Sequence, residues 1–106
     1  MLFSGLHVWT ADSQTPQSRQ QWLATLDRMA ALKPVTVVPG HFQPGAALTP
    51  DSIAYTAGYL RAFEAETPKA ADSGALIAAM KSAYPGVGLE GALQTGAKVA
   101  KGEMKW

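Results

Sequence analysis

Val35-Thr36-Val37-Val38-Pro39-Gly40-His41 decides how this chain is read. Four apolar or β-branched residues predict a short strand buried on both faces. Pro39-Gly40 stops it abruptly. His41 is then expected on the loop just past the strand end, where a rigid scaffold can hold a side chain over a cleft. Working back, Lys33-Pro34 must end whatever helix precedes the strand, because proline pushes the residue before it out of helical geometry. Thr15-Pro16 is a matching start, with a capping hydroxyl followed by a residue whose φ is already helical. Between them Trp22, Leu23, Leu26, Met29, Ala30 and Leu32 recur at spacings of three and four. They predict a helix over about Pro16–Leu32, with Arg19, Gln20, Asp27 and Arg28 mostly off the apolar stripe. Earlier still, Leu2–Phe3 reads as a strand continuing extended through Val8, before a polar turn over Thr10–Thr15. Strand, helix and strand within this length make a β-α-β unit with a parallel crossover. Trp9 and Trp22 are expected in the core between its strand and its helix.

Downstream the pattern changes. Phe42–Leu48 is a Pro/Gly/Ala-rich loop, and Thr49-Pro50-Asp51 repeats the helix-start signal. Ile53, Ala57, Leu60 and Phe63 (or Glu64) share one face of a helix over about Pro50–Glu66. Asp72-Ser73 caps another, with Leu76, Ile77, Met80, Ala83 and Tyr84 as its stripe, and Pro85-Gly86 ends it. A last helix is predicted over about Leu89–Ala100, with Leu93, Ala97 and Ala100 on its apolar side. The fold class is therefore α+β: an α/β-like β-α-β part over 1–45 and a helical extension over 46–106 packed on it, in one structural domain.

With 106 residues, 47% hydrophobic and 16% charged, the chain is globular in composition. A formal net charge of +1 gives no electrostatic case for nucleic acid as the main partner. No apolar run approaches the ~20 residues that span a bilayer. Met1-Leu2-Phe3-Ser4-Gly5-Leu6 lacks the basic and long apolar parts of a signal peptide, and it opens as if already inside a strand, so a further segment upstream is expected. The absence of cysteine removes thiolate metal sites and disulfides.

Few residues carry chemistry. His41 is the candidate metal ligand, through a neutral imidazole nitrogen. His7, the only other histidine, is a candidate site-lining residue that fits a structural role as well. Asp12, Asp27 and Asp51 qualify only by type, since a turn, an exposed helix face and a helix first turn each explain one of them. Gly86-Val87-Gly88 is too short for a phosphate-binding loop and follows a helix rather than a strand. Tyr55, Tyr59 and Phe63 repeat every four residues on one helix, which suits packing or a partner-docking face better than a cofactor cradle.

Taken together, Leu2-Phe3-Ser4-Gly5, His7-Val8-Trp9, the helix with Trp22-Leu23-x-x-Leu26 and Leu32-Lys33-Pro34, and Val37-Val38-Pro39-Gly40-His41 resemble the C-terminal half of metallo-β-lactamase-fold hydrolases. The resemblance covers about Met1–Gln43. It implies half of an αββα sandwich, with zinc at the junction of two halves and a metal-activated water as nucleophile. In that family a bridging aspartate precedes the Leu-Phe strand, and the Val-x-Pro-Gly-His turn delivers the last metal-binding histidine. Only His41 matches a family ligand here. The family's His-x-His-x-Asp-His motif is absent, and one imidazole cannot fix a catalytic zinc. The resemblance thus implies a C-terminal portion of a longer hydrolase, not catalytic alone. Zinc would belong to the complete parent, and the partner would be the missing N-terminal half or a second copy recruited at an open sheet edge. The residues alone leave a second reading: a small α+β interaction module docking through Tyr55, Tyr59 and Phe63.

Overall fold

The computed structural model describes residues 2–34, 37, 40–42 and 51–105, with His41 and Phe42 described through their backbone alone. In chain order the elements are β1 (Phe3–Ser4), α1 (Pro16–Ala31), β2 (His41–Phe42), α2 (Asp51–Glu66), α3 (Ser73–Ala83) and α4 (Glu90–Ala100). These make a helix-rich α+β fold.

A β-α-β unit is present, with its second strand described at His41–Phe42; most of the predicted Val35–Val38 strand lies outside the described residues. β1 and β2 pair in parallel, with Phe3 opposite His41 and Ser4 opposite Phe42. Val37 is buried and lies in no strand. Val35, Thr36, Val38 and Pro39 fall outside the described residues. His41 therefore sits in the strand rather than on a loop beyond it. β1 is covered on its other edge. Thr56 of α2 accepts a hydrogen bond from the Phe3 N–H (2.9 Å) and donates one to the Phe3 carbonyl (3.2 Å) or to the Ser52 carbonyl (2.8 Å). A helix side chain thus occupies the place where a further strand would bond, a known way of blunting an edge.

The helices follow their local signals. Thr15 caps α1 through the Ser18 N–H, and Ser18 returns the bond to the Thr15 N–H; such a box is worth about 1 kcal/mol. Asp72 caps α3 through the Ala75 N–H at 2.9 Å. The α1 stripe is corrected. Its buried residues are Arg19, Leu23 and Leu26, while Trp22 and Met29 are only partly covered and Ala30 is exposed. Leu32 is the C-cap and 82% exposed. Arg19 is buried because it pairs with Glu64 of α2, donates to the Ser13 carbonyl at 2.7 Å and lies 5.4 Å from the Phe63 ring centroid. Trp9 and Trp22 flank a surface cleft with Asp12 and Ser13, with Trp9 Nε1 donating to Asp12 at 3.0 Å.

α2 is the hub, contacting β1, α1 and α3, and this explains why it buries Ser52, Ile53, Thr56, Ala57, Tyr59, Leu60 and Phe63 rather than one stripe. α3 adds Leu76 and Met80 to the core, with Ala83 left exposed, and α4 adds Leu93 and Ala97.

Candidate functional site

The chemistry on the described residues gathers where the segment after β1 meets the turn between α3 and α4. Gly5, at φ 66°, turns the chain out of β1. The backbone then stitches to the turn: the His7 N–H donates to the Gly88 carbonyl at 2.8 Å, and the Gly88 N–H donates to the Gly5 carbonyl at 3.2 Å. This places the His7 ring inside the molecule, 2% exposed, against α2. Its Nδ1 lies 3.0 Å from the hydroxyl of Tyr59, which is fully buried. The two groups share one buried hydrogen bond, whose direction follows the His7 tautomer.

Tyr59 sits between Tyr55 and Tyr84, with ring centroids at 6.5 and 5.0 Å, and Tyr55 donates to the Leu6 carbonyl at 2.7 Å. Burial raises all three hydroxyls above their ordinary range, with neighbouring phenols adding to it at Tyr59 and at Tyr55, which is pushed up to about 12. They act as neutral hydrogen-bonding groups at physiological pH. Beyond His7 opens a pocket of about 280 Å³, lined also by Lys81, Tyr84, Pro85, Gly86, Val87 and Glu90. At its mouth Lys81 Nζ and Glu90 Oε1 pair at 2.6 Å, and this hydrogen bond lowers the Glu90 carboxyl below its ordinary value.

Burial lowers the His7 pKa below 6.5, outweighing the opposing pull of Glu90. The folded state then resists a proton that the unfolded chain accepts. Below pH 6.5 the unfolded state binds more protons, so stability falls as the pH drops through the window between the two pKa values and is flat above it. Urea midpoints across mildly acidic to neutral pH should show this loss, and His7→Gln should flatten the mildly acidic part of the curve. An unchanged slope in the variant would assign the loss to other groups.

Among the described residues, the predicted site residues are not gathered in one place. The side chain of His41 lies outside the described residues. Among those described, no three His, Cys, Asp or Glu residues gather as a metal-holding group. Asp27 pairs with Arg61 on the surface at 3.5 Å, Asp12 receives Trp9, and Asp51 stands in the first turn of α2. The Tyr55, Tyr59 and Phe63 stripe faces inward: Tyr59 and Phe63 are core and Tyr55 is partly buried, so the docking face expected of it is not on the surface. Lys81 and Glu90, nine residues apart on different helices, carry no sequence signal. Only the Pro85-Gly86 break between them marks the turn that brings them to His7. No family model, curated protein or solved structure matches the chain.

Proposed function

We propose that this chain is the C-terminal portion of a metallo-β-lactamase-fold hydrolase, half of its αββα sandwich, and that it works with a segment supplying the family's other metal ligands. The observation that supports this is the parallel pairing of β1 with β2 across α1, with Phe3 opposite His41. Neighbouring strands lie about 4.8 Å apart. In the family the bridging aspartate lies just before the strand that Leu2-Phe3 would match, and β1 pairs directly with the strand that holds His41. The residues present do not fit a catalytic metal alone, since His41 is the only family ligand in the chain. Zinc, bound by the complete protein, would activate a water for hydrolysis. Residues of this chain would contribute His41 and the sheet that carries it. With Thr56 covering β1, the missing half or a second copy of the chain would join at the far edge of β2.

The coding DNA upstream of Met1 tests this reading. An in-frame Asp directly before Met1, with His-x-His-x-Asp-His further upstream, is the expected result. An in-frame stop codon close to Met1 would overturn it. The purified 106-residue chain is expected to carry no stoichiometric zinc by elemental analysis. One tightly held equivalent in a monomer would overturn the assignment of the other ligands to a separate segment.

A further inference from the structure

We propose that the cleft between Trp9 and Trp22 binds a small organic cation, an alkylated ammonium group, against the two indoles and the carboxylate of Asp12. The cleft, of about 170 Å³, is lined by Trp9, Asp12 and Ser13 from the segment between β1 and α1, and by Trp22 from α1. Both indoles are partly buried and partly open to solvent. Spacing puts Trp22 on the apolar side of α1 with Leu23 and Leu26, yet those two are buried while Trp22 stays at the cleft. Tryptophan carries one of the largest apolar surfaces of any side chain. Two of them held half open around one cleft leave surface that a ligand can cover.

What that surface selects follows from its chemistry. An indole attracts a cation to its π-system more strongly than any other aromatic side chain. Trp9 gives its single donor, Nε1–H, to Asp12 Oδ2 at 3.0 Å, so the rest of that ring offers carbon and π-electron surface alone. The same bond ties the carboxylate to the ring. Asp12 brings a negative charge to the cleft, and no Lys or Arg lines it among the described residues. Arg19 donates to the Ser13 carbonyl at 2.7 Å, but its side chain is 4% exposed and its charge is met by Glu64. A cation therefore meets attraction in this cleft and an anion meets repulsion.

The cation is an alkylated one for a physical reason. A bare ammonium is compact and strongly hydrated, and two indoles and one carboxylate replace little of its water. Methyl groups on nitrogen shed water readily and pack on indole carbon. The cleft, at about 170 Å³, is smaller than the ~300–1,000 Å³ that holds a whole drug-sized ligand, so it suits a head group of this kind. A phosphate carried close to the ammonium, as on a choline lipid, would be repelled by Asp12. This favours a free cation over a membrane headgroup.

The test is a titration of the full chain with tetramethylammonium chloride, read by ¹H–¹⁵N correlation of the backbone amides and indole Nε1–H groups, against sodium chloride at the same ionic strength. Saturable shifts are expected at the Trp9 and Trp22 indoles and at the Asp12 and Ser13 amides, and none that saturate with sodium chloride. Choline should bind alike, and its uncharged isostere, with carbon in place of nitrogen, about fivefold more weakly. Asp12→Asn keeps an oxygen for the Trp9 Nε1–H and removes only the charge. It should weaken tetramethylammonium binding about threefold, and Trp22→Leu about fivefold. Asp27→Asn, elsewhere on α1, should leave binding unchanged. Equal binding of choline and its isostere would overturn the proposal, as would non-saturating shifts or equal losses in Asp12→Asn and Asp27→Asn. Phosphatidylcholine vesicles should not bind the chain; vesicle binding that is lost in Trp22→Leu would overturn the assignment to a free cation. Asp12 is exposed, so its variant leaves the core intact and the test does not depend on whether Trp22→Leu folds. Failure here would leave the hydrolase reading standing, since that reading rests on His41 and the sheet that carries it.

Discussion

Glu64→Ala should destabilise the fold by about 2–3 kcal/mol, the largest loss expected from any single polar truncation in this chain. The reason lies in what remains behind. Arg19 has its side chain 4% exposed and cannot reach water in the folded state, whereas Glu64 is 22% exposed at the other end of the pair. Removing the carboxylate strands a buried guanidinium. Two interactions limit the damage, the 2.7 Å bond to the Ser13 carbonyl and the face of Phe63. The partial exposure of Glu64 lets water enter where its carboxylate stood, which places the loss below the 3–5 kcal/mol typical of a fully enclosed pair. Replacing both partners with apolar groups, Arg19→Met with Glu64→Leu, should cost less than Glu64→Ala alone, because no charge is then left buried. Urea denaturation of Arg19→Met, Glu64→Leu and the double variant closes the cycle, with Glu64→Ala measured beside them. A Glu64→Ala loss under about 0.5 kcal/mol would mean that the pair behaves as a surface bridge.

That pair also shows where sequence reading stops. Helix positions were legible because caps and stops are local: Thr15-Pro16, Asp72 and Pro85-Gly86 place three helix ends to within a residue or so. Leu23 and Leu26 of α1 were legible as core from their spacing; the burial of Arg19 was not, because periodicity sorts residues by their own polarity and cannot see a partner 45 positions away. The same limit applies to β2. His41 and Phe42 read as loop by their own residue types, but strand pairing is set by the partner strand, and both pair with β1. At the candidate pocket, His7 was visible as a residue type. Its hydrogen bond with Tyr59, 52 positions on, and its place in one pocket with Lys81 and Glu90 are products of the chain's path through Gly5 and the Gly88 turn.

Gly96→Ala should destabilise by about 2 kcal/mol, against the rule that alanine in place of glycine favours a helix by about 1 kcal/mol. α4 holds a control for the rule. Gly91 has open space where a Cβ would stand, so Gly91→Ala should be neutral or stabilising by a few tenths of a kcal/mol. At Gly96, which is buried, a Cβ would fall inside the hydroxyl oxygen of Thr10, in the segment that follows His7 and Val8. The contact cannot be relieved cheaply. Thr10 is 3% exposed, its side chain is short, and its backbone carbonyl is fixed by the Ser13 N–H at 2.9 Å. Either the hydroxyl rotates into packed neighbours or α4 lifts off the chain. The rescue follows from the same atoms. The Thr10 hydroxyl is buried and has no hydrogen-bond partner among the described residues, so Thr10→Ala removes a group that gains nothing from being inside. In the Thr10→Ala, Gly96→Ala double variant the new methyl occupies the volume the hydroxyl leaves. Its stability should return to within about 1 kcal/mol of the parent, a strongly non-additive pair. Thermal or urea unfolding of the three variants decides it. Additive losses would show that Gly96 is required for a reason other than its approach to Thr10.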